Sequence, residues 1–114
     1  MLYYVGSPAR RVCLHGVHLI LVYHHFAPRE AIPKTPPLGE GWSFNHTPQG
    51  FERQLLALQS RGWRFQSLAE TIAEIHRTGR EPRKTVELTF DDGWIDQYEC
   101  ALPVLTKLRV TATF

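Results

Sequence analysis

Residues 85–94, TVELTFDDGW, describe a strand that ends in an acidic turn. Polar and apolar side chains alternate through TVELTF, which is the two-residue period of a β-strand. Aspartate and glycine favour tight turns and helix starts, so the DDG that follows ends the strand. The segment therefore predicts a strand whose carboxyl end carries two adjacent carboxylates, those of Asp91 and Asp92.

Strand and helix patterns alternate along the rest of the chain. The run HLILVYHH, which starts at His18, is typical of a strand buried on both faces. A first helix is expected between the N-cap Thr47 and Gly62, followed by a short strand in WRFQ. A second helix starts with the capping box SLAE and ends before Gly79. A third helix pattern contains Pro103, where we expect a kink or a late helix start, and RVTATF predicts a fourth strand.

The first two helices carry apolar stripes that we expect to face the core. These stripes are Phe51, Leu55 and Leu58 in the first helix and Leu68, Ile72 and Ile75 in the second. The order β-α-β-α-β-α-β implies parallel strands joined by right-handed crossovers, and therefore an α/β layer or barrel. In such folds the chemistry gathers at the carboxyl ends of the strands, where Asp91 and Asp92 are predicted to lie.

The composition sets limits on the class of protein. With 114 residues, of which 43% are apolar and 21% charged, the chain is long enough for one folded domain. A net charge of +2 without a long run of either sign gives no indication of nucleic-acid binding. The apolar stretch 12–23 is shorter than the ~20 residues of a membrane-spanning helix, so no transmembrane segment is evident. We expect residues 1–17 to be peripheral and residues 18–114 to form the domain.

Two further features leave alternatives open. The connection 26–46 contains four prolines and two glycines, and loops of this length are often functional. Trp42 and Phe44 in this loop either anchor it or line a groove. Cys13 and Cys100 form no CxxC motif, so they are interpreted as small buried residues, with a disulfide between them left open.

The acidic turn has several chemical interpretations. By itself, DDG is more often a helix-capping turn than a catalytic site. An EF-hand loop is excluded because its twelfth position here is Leu102 rather than glutamate, and a phosphate loop would need more glycines and a lysine. Adjacent aspartates can also divide two roles, with one binding a metal and the other accepting a proton from metal-bound water. A catalytic zinc usually has about three protein ligands, so further ligands would be needed from elsewhere.

Three segments of the chain resemble the polysaccharide deacetylase family, the carbohydrate esterases with NodB homology. LVYHHF resembles the first strand of the family, which ends in a Tyr-His pair. PQGFERQLLALQSRGWRFQSLAE resembles the helix, Gly-aromatic turn and helix start that follow. VELTFDDGWIDQYECALPVLTKLRVTATF resembles the first signature motif with its helix, internal proline and Ala-Thr-Phe strand. The resemblance covers residues 18–114.

This resemblance implies a fold and an activity. The fold would be part of a distorted (β/α) barrel, with about four parallel strands alternating with three helices. The reaction would be the metal-dependent hydrolysis of N-acetyl groups on N-acetylglucosamine-type polysaccharides. By position, Asp91 would be the general base and Asp92 a ligand of a divalent metal, with zinc the expected ion. Family members are commonly exported or attached to the cell envelope, but Arg10 and Arg11 precede no clear signal peptide, so the compartment is left open.

The sequence departs from the family pattern after the acidic turn. The family completes its metal site with a later His-x-x-x-His motif and takes a histidine acid from further downstream. No histidine follows Asp92 in this sequence, and the last one is His76. We therefore expect the N-terminal half of a deacetylase domain, incomplete and inactive as it stands. A complementary C-terminal half or self-association would be needed to cover its open strand edge.

Other residues near the turn have less certain roles. His24 and His25 end the first strand on the same rim as the aspartates, and either line the substrate pocket or pack as ordinary polar residues. Trp94 either stacks on a sugar or packs at the start of the third helix. The alternative function is a non-catalytic glycan-binding or partner-dependent module derived from the deacetylase fold.

Overall fold

The computed structural model describes residues 17–31 and 45–114. Cys13, Trp42 and Phe44 lie outside the described residues, as does nearly all of the segment 1–17 that was predicted to be peripheral.

Strands and helices alternate as predicted, with one additional pair of short strands. In chain order, the elements are β1 (His18–Tyr23), β2 (His25–Phe26), a 3₁₀ turn (Arg29–Ala31), β3 (Asn45–His46), α1 (Pro48–Ser60), β4 (Arg64–Phe65), α2 (Leu68–Thr78), β5 (Thr85–Phe90), a π-helical segment (Gln97–Ala101) and α3 (Leu102–Leu108).

The strands pair in parallel throughout the described part of the chain. One sheet has the order β1-β5-β4, and β2 pairs with β3 in a second. The predicted α/β fold with parallel strands and three helices is therefore confirmed. The β2–β3 pair was not predicted, because two residues in each strand are too few to show a period.

The prediction of a strand at RVTATF is wrong, since this segment makes only a single parallel bridge between Thr113 and Thr89. The Thr113 amide donates to the carbonyl of Leu88 at 2.8 Å, and the Phe90 amide donates to the carbonyl of Thr113 at 2.9 Å. β4 already occupies the first half of the same edge of β5. Only the carboxyl half of that edge is therefore available to the end of the chain.

The buried strand is β5 rather than β1. Val86 and Leu88 on one face of β5 are fully buried, and so is Glu87 on the other at 1% exposure. The prediction that β1 is buried on both faces is wrong, because among the described strands β1 pairs with β5 alone and its Ile20 is 50% exposed. The apolar run in β1 reflects an edge strand with one face on the core.

The helix caps follow the sequence closely. Thr47 accepts a hydrogen bond from the Gly50 amide at 3.0 Å, and both halves of the capping box between Ser67 and Glu70 are present. α2 ends at Gly79, which has a φ of 68°. These caps depend on neighbours within three or four residues, so local sequence is sufficient to predict them.

The predicted core face of α2 is wrong. Leu68 and Ile72 are 43% and 46% exposed, whereas Thr71 on the adjoining face is buried. On the polar side of α2, Glu74 accepts a hydrogen bond at 2.7 Å from the side chain of Gln66, the residue that follows β4.

An aromatic cluster joins α1 to the ends of β1 and β5. Its members are Tyr23, Phe26, Phe51 and Phe90, with ring centroids 4.9 to 6.0 Å apart. The Tyr23 hydroxyl donates to Gln54 at 2.9 Å, and burial raises the pKa of Tyr23. The cluster lies directly below the strand ends, so it supports the residues that follow them.

Pro103 lies in the first turn of α3, after the π-helical segment. Helical residues already begin at Ile95, so the predicted late helix start is wrong, and the proline, which lacks the N–H that a helix interior requires, directly follows the wider π turn. Within the described residues, no helix is both long and apolar enough to cross a membrane.

Candidate active site

The parallel pairing of β1 and β5 brings His24 and Asp91 together. The register joins Tyr23 to Phe90, so the next residues, His24 and Asp91, leave the sheet side by side. The Asp91 amide still donates to the Tyr23 carbonyl at 3.0 Å. Nε2 of His24 lies 3.9 Å from Oδ2 of Asp91, and both side chains are partly exposed, at 35% and 54%. The rim therefore holds a histidine and a carboxylate that substrate can reach.

Asp92 contacts Trp94 at the turn. Its backbone has a φ of 70°, and Gly93 follows with a φ of 63°, so two consecutive left-handed residues form the turn. The exposed Asp92 side chain accepts a hydrogen bond from Nε1 of Trp94 at 3.4 Å. The two neighbouring carboxylates thus face different surroundings, as separate roles would require.

His25 is held by a third carboxylate. Its Nδ1 lies 3.0 Å from Oδ2 of Asp96, and because a carboxylate only accepts, Nδ1 is the nitrogen that donates. The His25 ring also packs against Trp94, with centroids 4.7 Å apart. Asp96 was missed in the sequence, although a further carboxylate four residues after Asp92 was a signal that could have found it.

Gln97 contacts both strand ends. Its side chain is 1% exposed, and its amide nitrogen donates to the carbonyl of His24 at 2.7 Å and to that of Asp91 at 2.5 Å. The sequence contained no signal for this role, because a single glutamine in a helix pattern is usually a surface residue.

Trp94 combines packing with exposure. One part of its indole contacts His25 and Asp92, yet the residue remains 48% exposed. Packing at the start of the helical segment is therefore part of this arrangement, and stacking on a sugar stays a prediction.

The described residues do not complete a metal site. They contain no group of three or more His, Cys, Asp or Glu side chains arranged to hold a metal ion. Asp92 provides one carboxylate, whereas zinc usually takes about three protein ligands. The described residues thus fit one ligand position and not the whole site.

Comparison with known proteins relates this arrangement to a family. The sequence profile of the family described as polysaccharide deacetylase matches residues 78–114, which include Asp91, Asp92 and Trp94. A search of curated proteins finds no significant match.

Solved structures of deacetylases have a similar fold. IcaB from Ammonifex degensii matches with a TM-score of 0.62 and 29% identity, over 88% of this chain and 38% of that protein. The Streptococcus pyogenes deacetylase PplD, in complex with acetate, matches with a TM-score of 0.62 and 30% identity, over 85% of this chain and 41% of that protein. A de-N-acetylase from Aggregatibacter actinomycetemcomitans has a TM-score of 0.66 at 21% identity, over 83% of this chain and 35% of that protein, and shows the likeness of fold alone.

The fold and the rim together define an α/β chain with acidic and histidine side chains at the ends of parallel strands, and its fold is similar to that of solved deacetylases. The profile and the solved structures confirm the resemblance to the polysaccharide deacetylase family with NodB homology. The chain spans about two fifths of the length of the solved structures that it matches.

Proposed function

We propose that this chain carries the proton-accepting part of an active site that hydrolyses N-acetyl groups on N-acetylglucosamine-type polysaccharides. The observation that carries the proposal is the pairing of Asp91 and His24 across the ends of β1 and β5. Asp91 lies in the segment that matches the family profile. The Streptococcus relative was solved with acetate, the acid that an N-acetyl group yields on hydrolysis.

The two side chains suit the proton transfers of amide hydrolysis. As a water oxygen bonds to the acetyl carbon, Asp91 accepts the proton that the water loses. When the carbon–nitrogen bond breaks, the amine nitrogen must gain a proton, and Asp91 can return the one that it took from the water, with the His24 ring 3.9 Å away beside it. The products are acetate and the free amino sugar.

We further propose Asp92 as one ligand of a divalent metal, with zinc as the expected ion. The carboxylate is exposed, and its position at a strand end beside Asp91 supports this role. The remaining ligands would come from residues other than those described, so no chemical step is assigned to the metal.

The test is acetate release from N-acetylglucosamine oligomers with zinc present. We expect the purified chain by itself to release little or no acetate, because the described residues contain no group of three or more side chains that could hold a metal ion. Co-expression with the part of the Ammonifex protein that this chain does not cover should restore release, and Asp91→Asn should abolish it. Robust release by the chain alone would contradict its inactivity, and release that survives Asp91→Asn would contradict the assigned base.

A second candidate function is glycan binding without catalysis. The exposed part of Trp94 beside the rim favours it, since a sugar ring can stack on an indole face. Titration of the chain with a chito-oligosaccharide should then shift NMR signals around Trp94, and Trp94→Ala should weaken the binding without any acetate release. Unchanged binding in Trp94→Ala would argue against this function.

A further inference from the structure

We propose that the side-chain amide of Gln97 is a positioning group that joins the ends of β1 and β5 and so holds His24 against Asp91. The catalytic meaning of this contact rests on the proposed function. The contact itself is a property of the fold and can be tested separately.

The first argument concerns the two carbonyls that Gln97 contacts. His24 and Asp91 are the next pair in register after Tyr23 and Phe90. Their carbonyls are both acceptors, so they cannot bond to each other. A primary amide has two N–H donors on one nitrogen, and here one nitrogen donates to both carbonyls at 2.7 and 2.5 Å. Gln97 therefore extends the link between the strands by one residue pair beyond the sheet.

The second argument concerns burial and orientation. Gln97 is 1% exposed, so water cannot readily replace it as the donor. Its Oε1 has no hydrogen-bond partner among the described residues. Rotating the amide by 180° would place this oxygen against two carbonyl oxygens, which is repulsive. The chemistry of the contacts therefore sets the orientation of the amide.

The third argument is that the preceding residue makes a parallel contact. Asp96 bonds the side chain of His25, while Gln97 bonds the carbonyl of His24, so two consecutive residues hold two consecutive residues of the first strand end. The backbone N–H of Gln97 donates to the Trp94 carbonyl at 3.0 Å, and this bond fixes the backbone from which the Gln97 side chain extends. The turn after β5 thus folds back onto the end of β1 and closes the rim.

The matched variants are Gln97→Met and Gln66→Met in the full chain. Methionine keeps the length and apolar burial of glutamine but removes both N–H donors. Gln66 is also buried and donates its amide to Glu74 at 2.7 Å, away from the rim. Both variants should lose stability, whereas only Gln97→Met should change the rim.

The deciding measurement is the NMR cross-relaxation between the His24 ring protons and the Asp91 β-protons. We expect this signal in the unmutated chain and in Gln66→Met, and its loss in Gln97→Met. A signal that persists in a folded Gln97→Met, or that is lost equally in both variants, would overturn the proposal.

A second measurement does not depend on how the variants fold. In the unmutated chain, both side-chain amide protons of Gln97 should exchange slowly with solvent and have shifts distinct from those of Gln59, whose amide contact is exposed. Fast exchange would overturn the proposal. If these contacts are observed but acetate release from the restored enzyme survives Asp91→Asn, the proposed function fails while the positioning contact stands.

Discussion

Single residues on the rim combine local strain with long-range contacts. Asp92 has a φ of 70°, a conformation that costs a residue with a Cβ about 1–2 kcal/mol relative to glycine. A chain selected for stability alone would place glycine there. The retained carboxylate is therefore consistent with the proposed use of Asp92 as a ligand.

We expect Asp92→Gly to raise the free energy of unfolding by about 1 kcal/mol, because glycine adopts a positive φ without steric cost. Arg109→Gly is the matched control, since Arg109 also has a positive φ, at 53°, and lies away from the rim. Urea denaturation measures both variants. Only Asp92→Gly should also abolish acetate release in the restored enzyme, and a destabilised Asp92→Gly would contradict the strain argument.

His46 makes the stability of the fold depend on pH. Burial lowers its pKa below the usual value near 6.5, and its ring packs edge-on against Tyr23 at 5.0 Å. In acid the unfolded chain therefore binds more protons than the folded chain does, so this contribution is complete above about pH 6.5 and is lost as the pH falls.

Thermal unfolding between about pH 7.5 and pH 5 should show this loss. His46→Phe, which keeps an aromatic ring in the cluster, should reduce the dependence on pH. His76→Gln, which replaces an exposed histidine outside the aromatic cluster, is the comparison variant. An unaltered slope in His46→Phe would contradict the assignment.

At the scale of elements, the caps set where the helices begin and the sheet decides which face is buried. α2 has a complete capping box, and its hydrogen bonds from the backbone and then the side chain of Ser67 lower the pKa of Glu70. Its apolar positions Leu68 and Ile72 nevertheless lie at the surface. The start of this helix therefore depends on local sequence, while the face that it buries depends on tertiary contacts, such as that of Glu74 with Gln66.

We expect Ser67→Ala to reduce the free energy of unfolding by about 1 kcal/mol, because it leaves an α2 amide without its acceptor. Thr47→Ala at the start of α1 should have a similar cost. Ile72→Lys should cost less than about 0.5 kcal/mol, since the side chain is already half exposed. A large loss of unfolding free energy in Ile72→Lys would show that the apolar stripe of α2 is buried.

At the scale of the whole molecule, the sheet is open and apolar side chains remain at the surface. In the described part of the chain, β1 pairs along one edge only, and Ile20 on this strand is 50% exposed. Phe114 stacks on Phe90 with centroids 4.5 Å apart but is still 62% exposed. Open strand edges with apolar side chains favour association with another chain.

We therefore expect the purified chain to self-associate or to need a complementary polypeptide. Light scattering after size-exclusion chromatography should show a mass that rises with concentration. Ile20→Lys should reduce this association, because a charge on an edge strand disfavours pairing. Leu56→Lys is the control, since Leu56 is 44% exposed on α1 rather than on the strand edge. A monodisperse monomer with cooperative unfolding would contradict the expectation.

Local patterns were sufficient to predict α1, α2, β5 and the acidic turn, because each depends on contacts within a few residues. Predictions that needed the arrangement of distant elements were less successful. The edge position of β1 and the reduction of RVTATF to one bridge both depend on which neighbour occupies each edge of β5. A sequence pattern gives the period of an element but not the neighbour on each of its faces.

The features of the candidate site also fall into two groups, those that the sequence predicted and those that only the tertiary structure decided. The sequence alone predicted that Asp91 and Asp92 follow a strand, because strand ends and turn residues are local properties. It also placed His24 and His25 at the end of the first strand, whereas β1 ends at Tyr23 and His25 begins β2. Only the tertiary structure decided that His24 faces Asp91, that Asp96 bonds His25 and that Gln97 joins the two strand ends. The contacts that reach His24 and His25 join residues 67 to 73 positions apart, so the parallel register of β1 and β5 creates them.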